Sequence, residues 1–315
     1  MIRPFVIGTR GSPLALWQAH HVRDRLADAL GLDRDIDLHL PVQILKTSGD
    51  RIQGELSAFG GKGLFTRELE MALLDGRIDL AVHSMKDVPT VGHEALHLAA
   101  ILERADPRDA FLSPVAPSLM DLPEGATVGS ASIRRRAQAA RARPDLNFVL
   151  LRGNVGTRCR RLADGVCDAT FLACAGLDRL GEGALITQRI PTDTMLPAPA
   201  QGAVGVEVRA DDAEVRDAVA RLNHAPTRRA VEVERGFLRA LDGSCRTPIA
   251  ALMEAGRFRG EVLSKDGRMV FATDETVPDG ESATKAGLRI GGALRAEIAG
   301  RIVFDEGTPE LAPEA

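Results

Sequence analysis

The sequence has no tyrosine, one tryptophan and only five lysines, and aromatic residues make up 3% of its 315 positions. Exposed aromatic side chains, on which single-stranded RNA bases stack, are therefore scarce. No apolar run is long enough to cross a membrane, and the start, MIRPFVIGTRGSPLA, lacks the hydrophobic stretch of a secretory signal. We therefore expect a cytoplasmic protein that acts on neither membranes nor nucleic acids.

Cysteine is also rare, and none of the four, Cys159, Cys167, Cys174 and Cys245, forms a C-x-x-C pair. This spacing argues against a zinc site and against a disulfide framework, and no metal is predicted. Cys245 lies on the Gly-containing stretch LDGSCRTPIA beside Arg246, where a neighbouring cation favours a reactive thiolate. The other three cysteines lie in or beside predicted helices and strands and are interpreted as packing residues.

Positive charge is not in excess, because 44 acidic residues outnumber 40 basic ones and the net charge is −4. Even so, the stretch from Ser132 to Arg161 carries nine arginines and one acidic residue, Asp145. An RNA-binding protein could use such a block, but the only aromatic residue within it is Phe148, in a predicted strand. The block is better explained by a small ligand with several carboxylates or phosphates.

Short apolar strands alternate with amphipathic helices through the first two thirds of the sequence, which predicts α/β domains with mostly parallel sheets. Pro-rich breaks near Asp106 and between Pro191 and Gly202 indicate domain boundaries. The last third has an α+β pattern. We therefore predict a discontinuous first domain (1–104 and 201–222), a second, arginine-rich domain (105–200) and a small third domain (223–315).

Several arginines lie at strand-to-helix turns, where helix N-termini favour anions. The turns are GTRGS, with Ser12 as N-cap and Pro13 at N1, GSASIRRR and RGNVGTR. Because ligands of open α/β sheets bind outside the carboxyl ends of the strands, these turns are expected to converge on one crevice. The candidate anion contacts are Arg10, Arg134, Arg135, Arg152 and Arg158, whereas Arg136, Arg141, Arg143, Arg160 and Arg161 are interpreted as solvated helix faces.

The stretch HSMKDVP places Lys86 and Asp87 at the end of a predicted buried strand. An acid beside a base in this position can stabilise a cation and move a proton. The alternative is that Asp87 only completes a turn by bonding to local backbone.

Nine motifs in order, from Ile7 to about Ala250, resemble those of the hydroxymethylbilane synthase (porphobilinogen deaminase) family. They are IGTRGSPLALWQ, GGKGLFTRELE, DLAVHSMKDVP, DPRDAF, VGSASIRRRAQ, LRGNVGTR, AGLDRL, PAQGAVGVE and ERGFLRALDGSCRTPIA. Small departures are Ile133 where leucine is usual and Cys174 in place of a small apolar residue. Beyond Met253 the pattern fades.

The resemblance implies a transferase that joins four porphobilinogens head to tail, releases ammonia at each step and frees the linear hydroxymethylbilane with water. It implies a dipyrromethane cofactor bound through a thioether to Cys245, and because every pyrrole carries an acetate and a propionate, the arginines would neutralise a polyanion. It also implies two doubly wound α/β domains like the lobes of type II periplasmic binding proteins, a small C-terminal α+β domain and a monomer. The alternative is a non-catalytic bilobal anion-binding protein.

Functional residues carried over by matching motifs are expectations of the same kind. Asp87 is expected to be the catalytic residue, stabilising positive charge on the reacting pyrroles through their N–H groups. The expected cofactor and substrate contacts are Arg10, Ser12, Lys62, Ser84, Lys86, Ser130, Ser132, Arg134, Arg135, Arg152, Asn154, Arg158, Arg179 and Gln201.

Overall fold

The structure is a computed structural model and describes residues 3–46, 65–241 and 247–301. These residues form two compact units. Within the described chain, the first unit contains residues 3–46, 65–105 and 202–229, and the second contains 106–201, 230–241 and 247–301. The division into three domains stays a prediction.

Thirteen strands and nine α-helices are found among the described residues, together with three single 3₁₀ turns. In chain order they are β1 (Ile7–Arg10), α1 (Pro13–Leu30), α2 (Ile36–His39), β2 (Val42–Leu45), α3 (Arg67–Leu74), β3 (Leu80–Ser84), β4 (Leu96–Ile101), β5 (Asp109–Leu112), β6 (Thr127–Gly129), α4 (Ile133–Ala142), β7 (Asn147–Val149), α5 (Val155–Ala163), β8 (Ala169–Ala173), α6 (Cys174–Arg179), β9 (Gln188–Arg189), β10 (Val204–Arg209), α7 (Ala213–Ala220), α8 (Ala225–Ala240), β11 (Ile249–Glu254), β12 (Arg257–Leu263), β13 (Val270–Thr276) and α9 (Ala283–Ile298). The 3₁₀ turns are Met85–Asp87, Leu119–Asp121 and Gly183–Leu185.

The first unit is built on a five-stranded sheet in the order β2-β1-β3-β10-β4. Alternate residues of β3 point to opposite faces, so Leu80 and Val82 pack in the core cluster that contains Leu26 of α1. Ala81, on the other face, packs with Leu73 of α3. Burial on both faces explains why β3 reads as a nearly continuous apolar run.

The second unit contains a five-stranded sheet in the order β7-β6-β8-β5-β9 and an antiparallel three-stranded sheet, β11-β12-β13. Helices α8 and α9 share an apolar cluster with the three-stranded sheet, through residues such as Phe237, Phe258 and Ile290. The two helices approach so closely that a Cβ at Gly287 would lie 2.1 Å from the carbonyl oxygen of Val233. Only glycine allows this contact of backbone with backbone.

The predicted fold class is confirmed, and in each five-stranded sheet four of the five strands run in the same direction, as expected of mostly parallel sheets. In the first unit β10 runs antiparallel to β3 and β4, and in the second unit β5 runs antiparallel to β8 and β9. A parallel connection needs a crossover, usually a helix. Strand β5 follows β4 and strand β10 follows β9, and in each case the preceding strand belongs to the other five-stranded sheet, so neither β5 nor β10 is reached by such a crossover within its own sheet.

Candidate functional site

The N-termini of three helices of the second unit lie along one edge of its five-stranded sheet. Strands β6, β7 and β8 are parallel neighbours, and α4, α5 and α6 follow their carboxyl ends. Strand β5 is antiparallel to β8 and pairs Asp109, its first residue, with Ala173, the last residue of β8. This edge therefore collects positive helix ends together with one carboxylate.

Ser132 and Asn154 each cap the helix that follows them. Ser132 Oγ accepts a hydrogen bond from the backbone N–H of Arg135 at 3.4 Å, and Asn154 Oδ1 accepts one from the N–H of Thr157 at 2.9 Å. Capping uses only acceptor capacity, so the hydroxyl proton of Ser132 and the amide protons of Asn154 remain able to donate to an anion. Both residues can thus cap a helix and contact a carboxylate.

Arg134 and Arg135 converge on Asp109. Asp109 Oδ2 accepts from Arg134 Nη1 at 2.7 Å, and Asp109 Oδ1 accepts from Arg135 Nη2 at 2.7 Å and from Arg135 Nε at 3.0 Å. Asp109 is fully buried, and the side chains of Arg134 and Arg135 are only 6% and 7% exposed. One carboxylate thus neutralises only one of the two guanidinium charges, and the cluster has a net charge of +1.

Burial and ion pairing oppose each other in this cluster. Burial disfavours the ionised form of Asp109, but the two guanidinium groups outweigh it and hold the pKa of Asp109 well below its usual range. Burial lowers the pKa of Arg134 despite the nearby carboxylate. An anion bound beside Arg134 would therefore stabilise the positive charge of its guanidinium group, whose burial is unfavourable.

Four other predicted contacts of this unit lie on or near the same edge. Ser130 is buried directly after β6, and its Oγ accepts from the N–H of Ser132 at 3.2 Å. Arg152 follows β7 and is half-buried, as is Arg158 in the first turns of α5. Arg179 ends α6, where burial lowers its pKa to about 10.

Gln201, the remaining predicted contact of the second unit, is buried and donates inward. Its Nε2 lies 2.9 Å from Asp109 Oδ1 and 2.9 Å from the carbonyl oxygen of Pro107. Gln201 therefore supports the cluster of Asp109, Arg134 and Arg135 from a second side.

In the first unit, five predicted residues lie at or just beyond the carboxyl ends of β1 and β3. Ser12 caps α1, as predicted, by accepting from the N–H of Ala15 at 3.3 Å. The other four are Arg10, which ends β1, Ser84, which ends β3, and Lys86 and Asp87, which form the last part of the 3₁₀ turn Met85–Asp87 and are exposed.

Two of these side chains are oriented by neighbours. The guanidinium carbon of Arg10 lies 4.2 Å from the ring centroid of Phe65, a cation–π contact that orients the charged group. Ser84 Oγ accepts from Nε2 of Gln18, a buried residue of α1, at 2.9 Å. Ser84 is therefore fixed by the same helix whose N-terminus Ser12 caps.

The interpretation of the remaining arginines as solvated is wrong for three of them. Arg136 is buried. Arg141 donates to Glu261 of β12 at 2.8 Å, and Arg143 pairs with Asp145 at 2.7 Å. The sequence pattern could not show this, because the partners of Arg141 and Arg136 depend on what packs against α4. Of the other two, Arg160 is exposed as expected and Arg161 is half-buried.

Two predicted residues, Lys62 and Cys245, lie outside the described residues. The other three cysteines are packing residues, as predicted, because Cys167 and Cys174 are buried and Cys159 is half-buried in α5. Burial raises the pKa of all three thiols, that of Cys174 to about 12. Thiols of this kind hold almost no thiolate at neutral pH.

Sequence reasoning missed Asp109 and Gln18 as members of these edges. Both belong to quoted motifs, DPRDAF and IGTRGSPLALWQ, but a single acidic residue or amide in an α/β sequence carries no signal of burial. In the parts of the chain that the structure covers, no group of three or more His, Cys, Asp or Glu side chains could hold a metal ion. Nor is any helix there long and apolar enough to span a membrane.

Comparison with known proteins gives matches over nearly the whole chain. The family described as "Porphobilinogen deaminase, dipyromethane cofactor binding domain" matches residues 5–217, and "Porphobilinogen deaminase, C-terminal domain" matches residues 228–296. A porphobilinogen deaminase from Paracoccus denitrificans is 49% identical over 307 residues, which cover 96% of each chain.

The solved structures that match are more distant. A periplasmic substrate-binding protein of an ABC transporter from Coxiella burnetii is 16% identical with a TM-score of 0.43, over 71% of this chain and 93% of its own. The VFT2 domain of BvgS from Bordetella pertussis is 15% identical with a TM-score of 0.42, over 70% of this chain and 85% of its own.

Proposed function

The chain belongs to the porphobilinogen deaminase family, and on that premise we propose which of its residues carry out the reaction. The activity is hydroxymethylbilane synthesis, in which porphobilinogen is condensed stepwise with release of ammonia, and the cofactor is a dipyrromethane. A non-catalytic anion-binding protein is not favoured, because both domains of an enzyme family match.

The second unit has the donors that a dipyrromethane requires. Each pyrrole carries two carboxylates, and carboxylates bind best to guanidinium groups, hydroxyls and helix N-termini. The observation that carries the proposal is the convergence of three helix N-termini with Arg134, Ser130 and Ser132 at one sheet edge. The residues proposed to contact the cofactor or substrate are Arg10, Ser12, Lys62, Ser84, Lys86, Ser130, Ser132, Arg134, Arg135, Arg152, Asn154, Arg158, Arg179 and Gln201.

Asp87 is proposed as the catalytic carboxylate. The bound dipyrromethane supplies the pyrrole carbon to which the first substrate is joined. Asp87 is exposed at the end of its 3₁₀ turn, so its carboxylate is accessible to pyrrole N–H groups. There it stabilises positive charge as the substrate loses ammonia, and it can take up the proton that leaves the newly bonded carbon. Lys86 beside it can hold a substrate carboxylate.

Cys245 is proposed as the attachment residue. The support is chemical, because the three described cysteines have raised thiol pKa values, whereas Cys245 has Arg246 as its neighbour. The LDGSC stretch also matches the family motif. We further propose a cytoplasmic monomer that binds neither nucleic acid nor membrane, which fits a small, highly charged substrate.

The intact mass of the purified protein tests this proposal. We expect a mass above that of the sequence by two condensed pyrrole units, and we expect Cys245→Ser to lose or cripple that addition because a hydroxyl is a poorer nucleophile than a thiolate. Cys159→Ser is the matched control and should keep the addition. A native mass equal to that of the sequence, with activity intact, would contradict covalent attachment.

A further inference from the structure

The two arginines of the cluster differ in what they still have to offer a ligand. Arg135 donates through all three of its nitrogens, to Asp109 through Nε and Nη2 and to the carbonyl oxygen of Phe171 through Nη1 at 2.9 Å. Arg134 donates only through Nη1, to Asp109 and to the carbonyl oxygen of Leu196 at 2.6 Å. Its Nε and Nη2 donate to no residue within the described ranges. Arg135 thus anchors the cluster, and Arg134 retains donors.

The carboxylate of Asp109 also accepts one hydrogen bond from outside α4, and the backbone next to that donor is itself held in place. Gln201 donates to its Oδ1, and the residue before Gln201, Ala200, has a positive φ of 62°. The N–H of Ala200 donates at 2.6 Å to Glu234 of α8, a buried carboxylate that also accepts from the N–H of Met253 at 2.8 Å. Because Gln201 holds the carboxylate of Asp109 independently of the two arginines, this carboxylate orients the guanidinium groups of Arg134 and Arg135.

We propose that Asp109 is a positioning residue for the anionic groups of cofactor and substrate. Its carboxylate fixes the guanidinium groups of Arg134 and Arg135 in place and reduces their joint charge from +2 to +1. This inference rests on the proposed role of the two arginines as carboxylate contacts. Donors that are already oriented lose less conformational entropy when a ligand binds, so the expected effect of Asp109 is on ligand affinity.

Asp109→Asn tests the proposal, with Glu261→Gln as the matched control. Glu261 is also a buried carboxylate, 7% exposed, and it pairs at 2.8 Å with Arg141, another arginine of α4. Each variant removes the charge of a buried carboxylate that pairs with arginine side chains of α4. Both variants are therefore expected to lower the melting temperature. Only Asp109→Asn is expected to reduce the fraction of protein that carries the two-pyrrole addition, measured by intact mass.

Kinetics of the loaded fraction provide the second measurement. For Asp109→Asn we expect the KM for porphobilinogen to rise by at least about tenfold, the factor that corresponds to one charge-assisted hydrogen bond, with a smaller change in kcat. Glu261→Gln should keep the KM within about twofold of the wild-type value, the range of a change away from the ligand. Equal loading and equal KM in the two variants would show that Asp109 only stabilises the fold and would overturn the proposal.

Asp109→Glu covers the case in which the asparagine variant does not fold. It keeps the charge, so the buried arginines remain paired, but it moves the carboxylate by one methylene. We expect a folded protein with reduced loading and a raised KM. Wild-type loading and KM in this variant would overturn the positioning role. If the wild-type protein itself carries no addition, the proposed attachment fails, and the KM for porphobilinogen of the Asp109 variants alone decides the positioning role.

Discussion

Single residues at these sheet edges serve the fold and the proposed chemistry together. Ser12, Ser132 and Asn154 each accept a backbone hydrogen bond at a helix N-terminus, and each keeps a proton to donate. Loss of an N-cap costs about 1 kcal/mol of stability. Alanine variants of these residues would therefore mix two effects, and only measurements of both stability and ligand affinity can separate them.

Asp87 is the residue at which the catalytic proposal is tested most directly. Asp87→Asn keeps the shape of the side chain and removes its charge, so positive charge on the substrate is no longer stabilised. We expect turnover to fall by at least about a hundredfold, the scale of losing a positioned acid or base. Steady-state kinetics on the cofactor-loaded protein would measure this, with its melting temperature as the check on folding.

Asp121→Asn is the control for this substitution. Asp121 is also exposed and also ends a single 3₁₀ turn, Leu119–Asp121, so the local backbone effect of the change is matched. It should leave turnover within about twofold, as expected for a surface change. Near-normal turnover in Asp87→Asn would contradict the proposed role of Asp87 as the catalytic carboxylate.

At the scale of elements, helix α4 carries two of the proposed contacts at its N-terminus and is held at its other end by the three-stranded sheet. The turn between β12 and β13 lies against the helix backbone, because a Cβ at Gly267 would be 2.2 Å from the carbonyl oxygen of Ala137. Arg141 adds the ion pair to Glu261 of β12. The C-terminal half of α4 is thus held by an antiparallel sheet that lies far along the sequence.

Arg141→Leu is predicted to weaken this docking without affecting catalysis directly. It leaves the 7% exposed carboxylate of Glu261 unpaired, while Arg141 itself is 32% exposed. We therefore expect a loss of about 1–3 kcal/mol in the free energy of unfolding, measured with urea. Turnover of the folded, loaded protein should be unchanged.

The control, Arg160→Leu, alters an exposed arginine of α5 and should change stability by less than about 0.5 kcal/mol. Equal stability of the two variants would contradict the docking role.

Helices and strands could be predicted where residues close in sequence determine them, and could not be predicted where distant residues determine them. From local periodicity the sequence predicts a helix over Val155–Ala163 and a strand over Ala169–Ala173, and these are the bounds of α5 and β8 in the structure. The antiparallel direction of β5 and β10 could not be predicted, since it depends on where the chain enters each sheet. The partners of Arg141 and Asp109 were equally invisible, because they lie 120 and 25 or 26 positions away along the sequence.

At the scale of the whole molecule, net charge is a poor guide to the ligand. The protein has a net charge of −4, yet each of its two units has arginines at the carboxyl ends of strands. The sign of the total comes from an excess of four acidic residues over the whole chain, and several acids, such as Asp145 and Asp178, pair with arginines elsewhere. What selects an anion is the local arrangement of donors, which total charge does not report.

Removal of the cofactor is therefore predicted to lower the stability of the whole molecule. A tightly bound polyanion stabilises only the native state, and its loss removes the attraction between its carboxylates and the arginines proposed to contact them. If Cys245 is the attachment residue as proposed, we expect Cys245→Ser to melt at a lower temperature than the wild type in calorimetry. Cys159→Ser, altered at a half-buried thiol but still loaded, should melt closer to the wild type. The gap between Cys245→Ser and the wild type should narrow as salt is added, because salt screens the attraction between the carboxylates of the cofactor and half-buried arginines such as Arg152 and Arg158. If the unloaded protein melted at the wild-type temperature at low salt, the arginines would not be paired with the cofactor, and their proposed role would have to be abandoned.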